Sequence, residues 1–276
     1  MTAVCLHSRD EIEPILRQDT FLHLYELGDL DDFFWQYTTW YGLKDQGQVR
    51  QVCLVYTGTD LPVLLGLSAE PTTGLEELLR AIKKILPGRI YAHLSGKAVT
   101  ALQDGYQAES HGVHDKMALT RPSHLAAVGT SAAVPLTPDD LPQLQALYDA
   151  SYPGNWFDPR MLETGCYFGI RAGDYPGSSI LSVAGVHVYS PRYRVTVLGN
   201  ITTHPQYRGR GLGKAVTARL CQALLPHVDH IGLNVRTDNQ AAIAVYRSLG
   251  FETVGAYEEF MLEDEFHQRY RQLTGN

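Results

Sequence analysis

Cysteine is scarce and scattered. Cys5, Cys53, Cys166 and Cys221 form no Cys-x-x-Cys pair and no Cys/His cluster, so neither a zinc module nor a disulfide framework is expected, and no metal. Long apolar runs are missing too: none reaches the roughly 18 residues that span a bilayer. The opening MTAVCLHSRDEIEP lacks the basic-then-apolar pattern of a secretion signal. Basic charge is in deficit, with 23 Lys plus Arg against 30 Asp plus Glu and a formal net charge of −7. Without a basic block, general nucleic-acid binding is excluded. These absences describe a cytoplasmic protein with neither a membrane nor a nucleic-acid partner. Two phosphate loops are absent as well. A Walker A loop needs Ser or Thr after its lysine, and Lys214 is followed by Ala215. The glycines at 209, 211 and 213 miss the Gly-x-Gly-x-x-Gly spacing of a dinucleotide fold, and no second βαβ half follows.

What is present centres on residues 195–225. Val195, Val197, Leu198 and Ile201 give a buried strand, and Pro205 stops it. Arg208-Gly209-Arg210-Gly211-Leu212-Gly213 then leads into a helix with apolar positions at Leu212, Ala215, Val216, Leu220 and Leu224. Glycines let successive N–H groups turn toward one point, and the unpaired amides of the first helical turn face the same way. This is an anion site suited to a phosphate or pyrophosphate, with Arg208, Arg210 and Lys214 around it. About 30 residues on come Asn239, a helical stretch, Tyr246 seven positions later, and Gly250-Phe251.

Arg208, Gly211 and Gly213 match the Arg/Gln-x-x-Gly-x-Gly/Ala motif of the GNAT N-acetyltransferase superfamily, which this stretch resembles. The Asn239–Phe251 segment resembles the family's second signature, in the right order and at the right separation. The resemblance implies acetyl-CoA as co-substrate. The backbone of Ile201, Thr202 and Thr203 would follow the pantetheine arm. Arg208, Gly209, Arg210, Gly211, Leu212, Gly213 and Lys214 would hold the pyrophosphate, and Asn239 would add a cofactor contact. Tyr246 would protonate the departing thiolate. Tyr152, Trp156 and Phe157, in the segment that covers the acceptor pocket in such proteins, are the candidate acceptor contacts. Many family members place a glutamate on the strand before the loop, yet Val195 to Asn200 contains no carboxylate. Either a water relayed by Asn200 or His187 serves as base, or a carboxylate such as Glu163 or Glu258 reaches in.

The implied function is an N-acetyltransferase that moves an acetyl group from acetyl-CoA to a primary amine of a small molecule or peptide. The chain would act as a monomer or homodimer. The alternatives are a non-catalytic acyl-CoA-binding sensor, or a glycine-acyltransferase-like enzyme with a bulkier acyl donor.

The first half echoes the second. The strand 89–94 parallels 230–235, Gly105-Tyr106 parallels Gly250-Phe251, and 114–119 parallels 257–262, at an offset of about 145 residues. The expected fold class is α/β, an α+β mixed sheet built as two tandem GNAT-like folds. The expected division is 1–125, a degenerate copy without the cofactor loop, and 131–276, the catalytic copy. Residues 120–130 are either a linker or an ordered strap. In the first copy the connection 68–74 has one glycine, no arginine and an acidic Glu70 that would repel phosphate. One helix is expected within 20–36, strands at 48–56 and 62–67, a helix over 74–86, and two last strands at 252–254 and 257–262.

Overall fold

The computed structural model describes every residue except Glu70, Trp156, Asp174, Pro176 and 268–276. In chain order the strands are β1 Thr2–Leu6, β2 Thr38–Asp45, β3 Gln48–Tyr56, β4 Val63–Gly66, β5 Arg89–Leu94, β6 Gln107–Leu119, β7 Val134–Pro135, β8 Phe168–Arg171, β9 Ile180–Ser190, β10 Val195–Thr203, β11 His230–Arg236 and β12 Phe251–Glu263. The helices are α1 Arg9–Leu16, α2 Leu24–Asp29, α3 Asp32–Trp35, α4 Thr73–Ile82, α5 Leu141–Ser151, α6 Leu212–Leu224 and α7 Gln240–Ser248. The chain forms two compact units. One comprises Met1–Lys116, Arg236–Asp238 and the chain from Val254 on; the other comprises Met117–Val235 and Asn239–Thr253. These limits differ from the expected 1–125 and 131–276, because the end of β12 pairs antiparallel with β5, from Glu258 opposite Leu94 to Glu263 opposite Arg89.

In the first unit β1, β2, β3 and β4 form an antiparallel series, α4 follows, and β5 returns parallel to β4. β12 and β6 complete its sheet. α4 buries Leu75, Leu78, Leu79 and Ile82, the i, i+3, i+4, i+7 stripe of an amphipathic helix. That stripe joins an apolar core with Leu43, Leu64, Ile90, Leu94 and Phe260. The single helix expected within 20–36 is two short ones, α2 and α3. The break falls at Asp31, extended at the α3 N-cap, where its carboxylate accepts from the Phe33 amide. The expected pair of last strands is one continuous strand of 13 residues.

The second unit repeats the plan. β7, β8, β9 and β10 are antiparallel, α6 crosses over, and β11 runs parallel to β10. α5 starts as its sequence demands. Thr137 and Asp140 form a reciprocal capping box with Pro138 in the first turn, and the carboxylate of Asp140 accepts from the Thr137 amide at 2.9 Å. The buried side chains of α6 are Val216, Ala218, Leu220, Cys221 and Leu224, with Thr217 among them. Thr217 is satisfied by donating to the Gly213 carbonyl at 2.7 Å. Among the described residues no helix is long and apolar enough to cross a membrane.

Candidate active site

The site begins where two strands of the second unit part. β10 and β11 pair only from Val195–His230 to Leu198–Leu233. β10 continues to Thr203, held on its other side by β9, so its β11-facing edge past Leu198 is unpaired. The register with β9 shifts between Gly199 and Thr202. That irregularity is centred on Asn200, whose φ of +54° lies in the left-handed region that asparagine tolerates better than most residues.

Asn200 is 4% exposed and its groups are engaged. Its carbonyl accepts from Tyr148 Oη (3.1 Å), Nδ2 donates to Tyr167 Oη (3.1 Å), and Oδ1 accepts from Asn155 Nδ2 (3.3 Å). Phe157 packs beside Tyr148 and Tyr167, with centroids 5.0 and 5.9 Å away. Burial raises both phenols above their ordinary range, and the Asn200 hydrogen bond only partly offsets this at Tyr167. Asn200 therefore shapes the bulge. His187 lies over Gly199 on the neighbouring strand: a Cβ at Gly199 would meet His187 Cδ2 at 1.9 Å. Gly199→Ala is expected to destabilise the fold by about 1–3 kcal/mol, the usual penalty of overpacking. Chemical denaturation of a double-mutant cycle checks this, since most of the loss should vanish in a His187→Ala background.

The glycine loop follows at once. Gly209 (φ +77°) and Gly211 (φ +79°) are left-handed, and a Cβ on either would meet nothing within 4 Å. Gly211 is the N-cap of α6. Among the described residues no amide from Gly209 to Lys214 is committed to a backbone hydrogen bond, whereas the next, Ala215, donates to the Gly211 carbonyl at 3.0 Å. Amides without backbone partners at a helix N-terminus suit a pyrophosphate. Arg208 is placed differently from a phosphate ligand. Its Nε donates to the Thr203 carbonyl (3.1 Å) and its Nη2 to the Ser151 carbonyl (3.2 Å), bracing the end of α5 against β10. Thr202 Oγ1 and Ser151 Oγ add a second tie at 3.1 Å. Arg210 stacks over Tyr207 at 5.1 Å, and Lys214 is partly exposed on the first turn of α6. Ile201, Thr202 and Thr203 are half-buried along the open edge.

α7 supplies the last group. Asn239 is its N-cap and accepts from the Ala242 amide at 3.2 Å. Tyr246 is 9% exposed, with its ring 6.0 Å from Phe251, and no hydrogen bond ends on its hydroxyl among the described residues. Burial, then the neighbouring Tyr152 and Cys221, push the phenol well above its ordinary value, so it is protonated at neutral pH. Tyr152, 47% exposed, is close enough to Tyr246 to raise its phenol. Trp156 lies outside the described residues. Glu163 is exposed, and Glu258 belongs to the other unit, where it accepts from Ser110. Sequence reasoning missed Tyr148, Ser151 and Tyr167. They lie 33 to 57 residues from their partners on β10 and the loop, and no local pattern announces them.

Residues 137–251 match the Acetyltransferase (GNAT) family. That match covers 115 of the chain's 276 residues. An uncharacterised protein of Mycobacterium leprae is 34% identical over 51% of this chain and 38% of its own length. The N-alpha-acetyltransferase RimI of Mycobacterium tuberculosis is 36% identical over 32% of this chain and 53% of its own. The chain thus spans about two fifths to a half of these relatives. A tandem GNAT protein from the clavulanic acid biosynthesis pathway is similar in fold, with a TM-score of 0.54, 15% identity, and coverage of 95% of this chain and 98% of its own. The mixed-sheet α/β class agrees with these comparisons.

Proposed function

We propose that the second unit transfers an acetyl group from acetyl-CoA to a primary amine by direct attack on the thioester. The observation that carries this is the juxtaposition in sequence and fold of an unpaired β10 edge and a cradle of free amides at Gly209 to Lys214. The open edge at Ile201–Thr203 offers amide groups to a pantetheine arm, and the cradle offers amides to a pyrophosphate. The uncharged amine attacks the carbonyl carbon, a C–N bond forms and the C–S bond breaks. Tyr246 gives a hydrogen bond, and then its proton, to the sulfur as negative charge develops there. The amine proton passes to water beside His187, the titratable side chain against the bulge. Arg208 and Ser151 hold the acceptor side of the cleft in place.

The first unit lacks this opening. β4 and β5 stay paired through Gly66–Leu94, and the Ser95 amide extends the pairing to the Gly66 carbonyl at 3.1 Å. Glu70, assigned a repulsive role from sequence, lies outside the described residues. The first unit is proposed to bind no acyl-CoA. The missing carboxylate on β10 favours the sensor reading as the second choice. Release of free CoA over a panel of amines, with acetyl-, propionyl- and benzoyl-CoA as donors, separates the readings. The proposal expects turnover fastest with acetyl-CoA. Acetyl-CoA binding without turnover on any amine is the sensor result, and fastest turnover with benzoyl-CoA is the glycine-acyltransferase-like result. Arg208→Leu is expected to raise the amine KM about tenfold while changing acetyl-CoA affinity less than threefold, since its guanidinium braces α5; steady-state kinetics with calorimetry checks this.

A further inference from the structure

The first unit contains a layer of ionisable side chains that acetyl transfer does not use. On α2 and its N-cap, His23, Glu26 and Asp29 recur every three residues and are 8%, 2% and 5% exposed. Lys116 of β6, 3% exposed, has its Nζ 5.4 Å from the ring centres of both Tyr25 and Tyr257. Tyr257 is stacked by His93 at 4.9 Å and His114 at 5.6 Å, and its hydroxyl donates to Glu259 Oε1 at 2.9 Å. Tyr91 donates to the other Glu259 oxygen at 2.5 Å.

Two opposite charges in this layer are incompletely matched. Glu26 Oε1 meets His23 Nδ1 at 3.0 Å, but Oε2 is shielded from solvent and has no hydrogen-bond partner among the described residues. The Lys116 ammonium has neither an ion pair nor a hydrogen bond among them; it meets the two tyrosine faces and feels the attraction of Glu26 and Asp19 without touching either. Apolar residues would serve stability at least as well as unmatched buried charges, as they do in the apolar cluster around α4 of the same unit. We propose that this layer binds a small zwitterion of the α-amino-acid type: its carboxylate meets Lys116, its ammonium meets Glu26 Oε2, and Tyr25 and Tyr257 flank its aliphatic part. A simple amine or a simple carboxylate would leave one of the two charges unmatched. Burial pulls the Lys116 ammonium below its ordinary value, and the attraction of Glu26 and Asp19 opposes this. Burial acts to raise the Glu26 carboxyl, but His23 and Lys116 together outweigh it and keep it ionised. Asp29 is raised well above the ordinary carboxylate range by burial and then by Glu26. Burial pulls His93 down to about 4, so its ring is neutral.

The test uses the full chain without acetyl-CoA, so failure of the transferase reading leaves it untouched. Calorimetric titration with the common α-amino acids, and with methylamine and acetate as half-ligands, is expected to find a zwitterion that binds one per chain. The half-ligands should bind at least about tenfold more weakly. Lys116→Met and Glu26→Gln should each weaken the zwitterion about tenfold or more, with unchanged circular dichroism. The isosteric Glu26→Gln keeps the question decidable if Lys116→Met does not fold. No binding by any of the amino acids would overturn the proposal and leave water as the partner of both charges. Binding unchanged in the folded variants would place the amino acid elsewhere and overturn it equally.

Discussion

Tyr246→Phe is expected to lower kcat by about 10²- to 10⁴-fold, the range for loss of a positioned general acid. Acetyl-CoA affinity should stay within about twofold, because the ring packing against Phe251 and the free amides of the loop are untouched. Burial decides the state of the hydroxyl. It has no partner among the described residues and is held protonated, which makes it a donor awaiting an acceptor. A thiolate forming beside it provides one. Single-turnover kinetics on the best amine, with calorimetry for the cofactor, reads both quantities. A variant that turns over like the wild type would make Tyr246 a core aromatic and nothing more.

Gly211→Asp should weaken acetyl-CoA binding at least about 100-fold, which corresponds to roughly 3 kcal/mol. Two effects add. A non-glycine residue at φ +79° costs about 1–2 kcal/mol. The new carboxylate would also occupy the amide cradle and repel a pyrophosphate, removing charge-assisted bonds of about 1.5–3 kcal/mol each. A Cβ at Gly211 would have no atom within 4 Å, so steric clash contributes nothing. Gly211→Ala separates the two effects, because it keeps the strain without the charge. About a tenfold loss is expected for alanine.

The parts of this protein legible in its sequence are those set by local chemistry. Thr137-Pro138-Asp139-Asp140 announces a helix start, and the structure has the capping box there. The glycines at 209, 211 and 213 predict amides turned toward one point, and Gly209 and Gly211 are left-handed with amides free of backbone bonds. The parts that escaped depend on distant partners. β2 is not among the strands expected from sequence, because Trp40 and Tyr41 suit a helix face or a strand equally; its strand state comes from pairing with β1 and β3. Asn200 looks like a water relay on sequence grounds, and only the fold reveals that Tyr167 and Asn155 engage its amide. Arg208 looks like a phosphate ligand until its guanidinium is found on the Thr203 and Ser151 carbonyls. The polar layer around Lys116 joins residues from 23 to 259 and leaves no motif at all.

The central claim is that the cleft where β10 leaves β11, with its amide cradle, is this protein's single acyl-CoA site. The most direct test is the stoichiometry of acetyl-CoA binding to the intact chain by isothermal titration calorimetry. One acetyl-CoA per chain is predicted, because β10 and β11 part after Leu198 and Leu233 while β4 and β5 remain paired through Gly66 and Leu94. A stoichiometry of two, or no measurable binding, would contradict it.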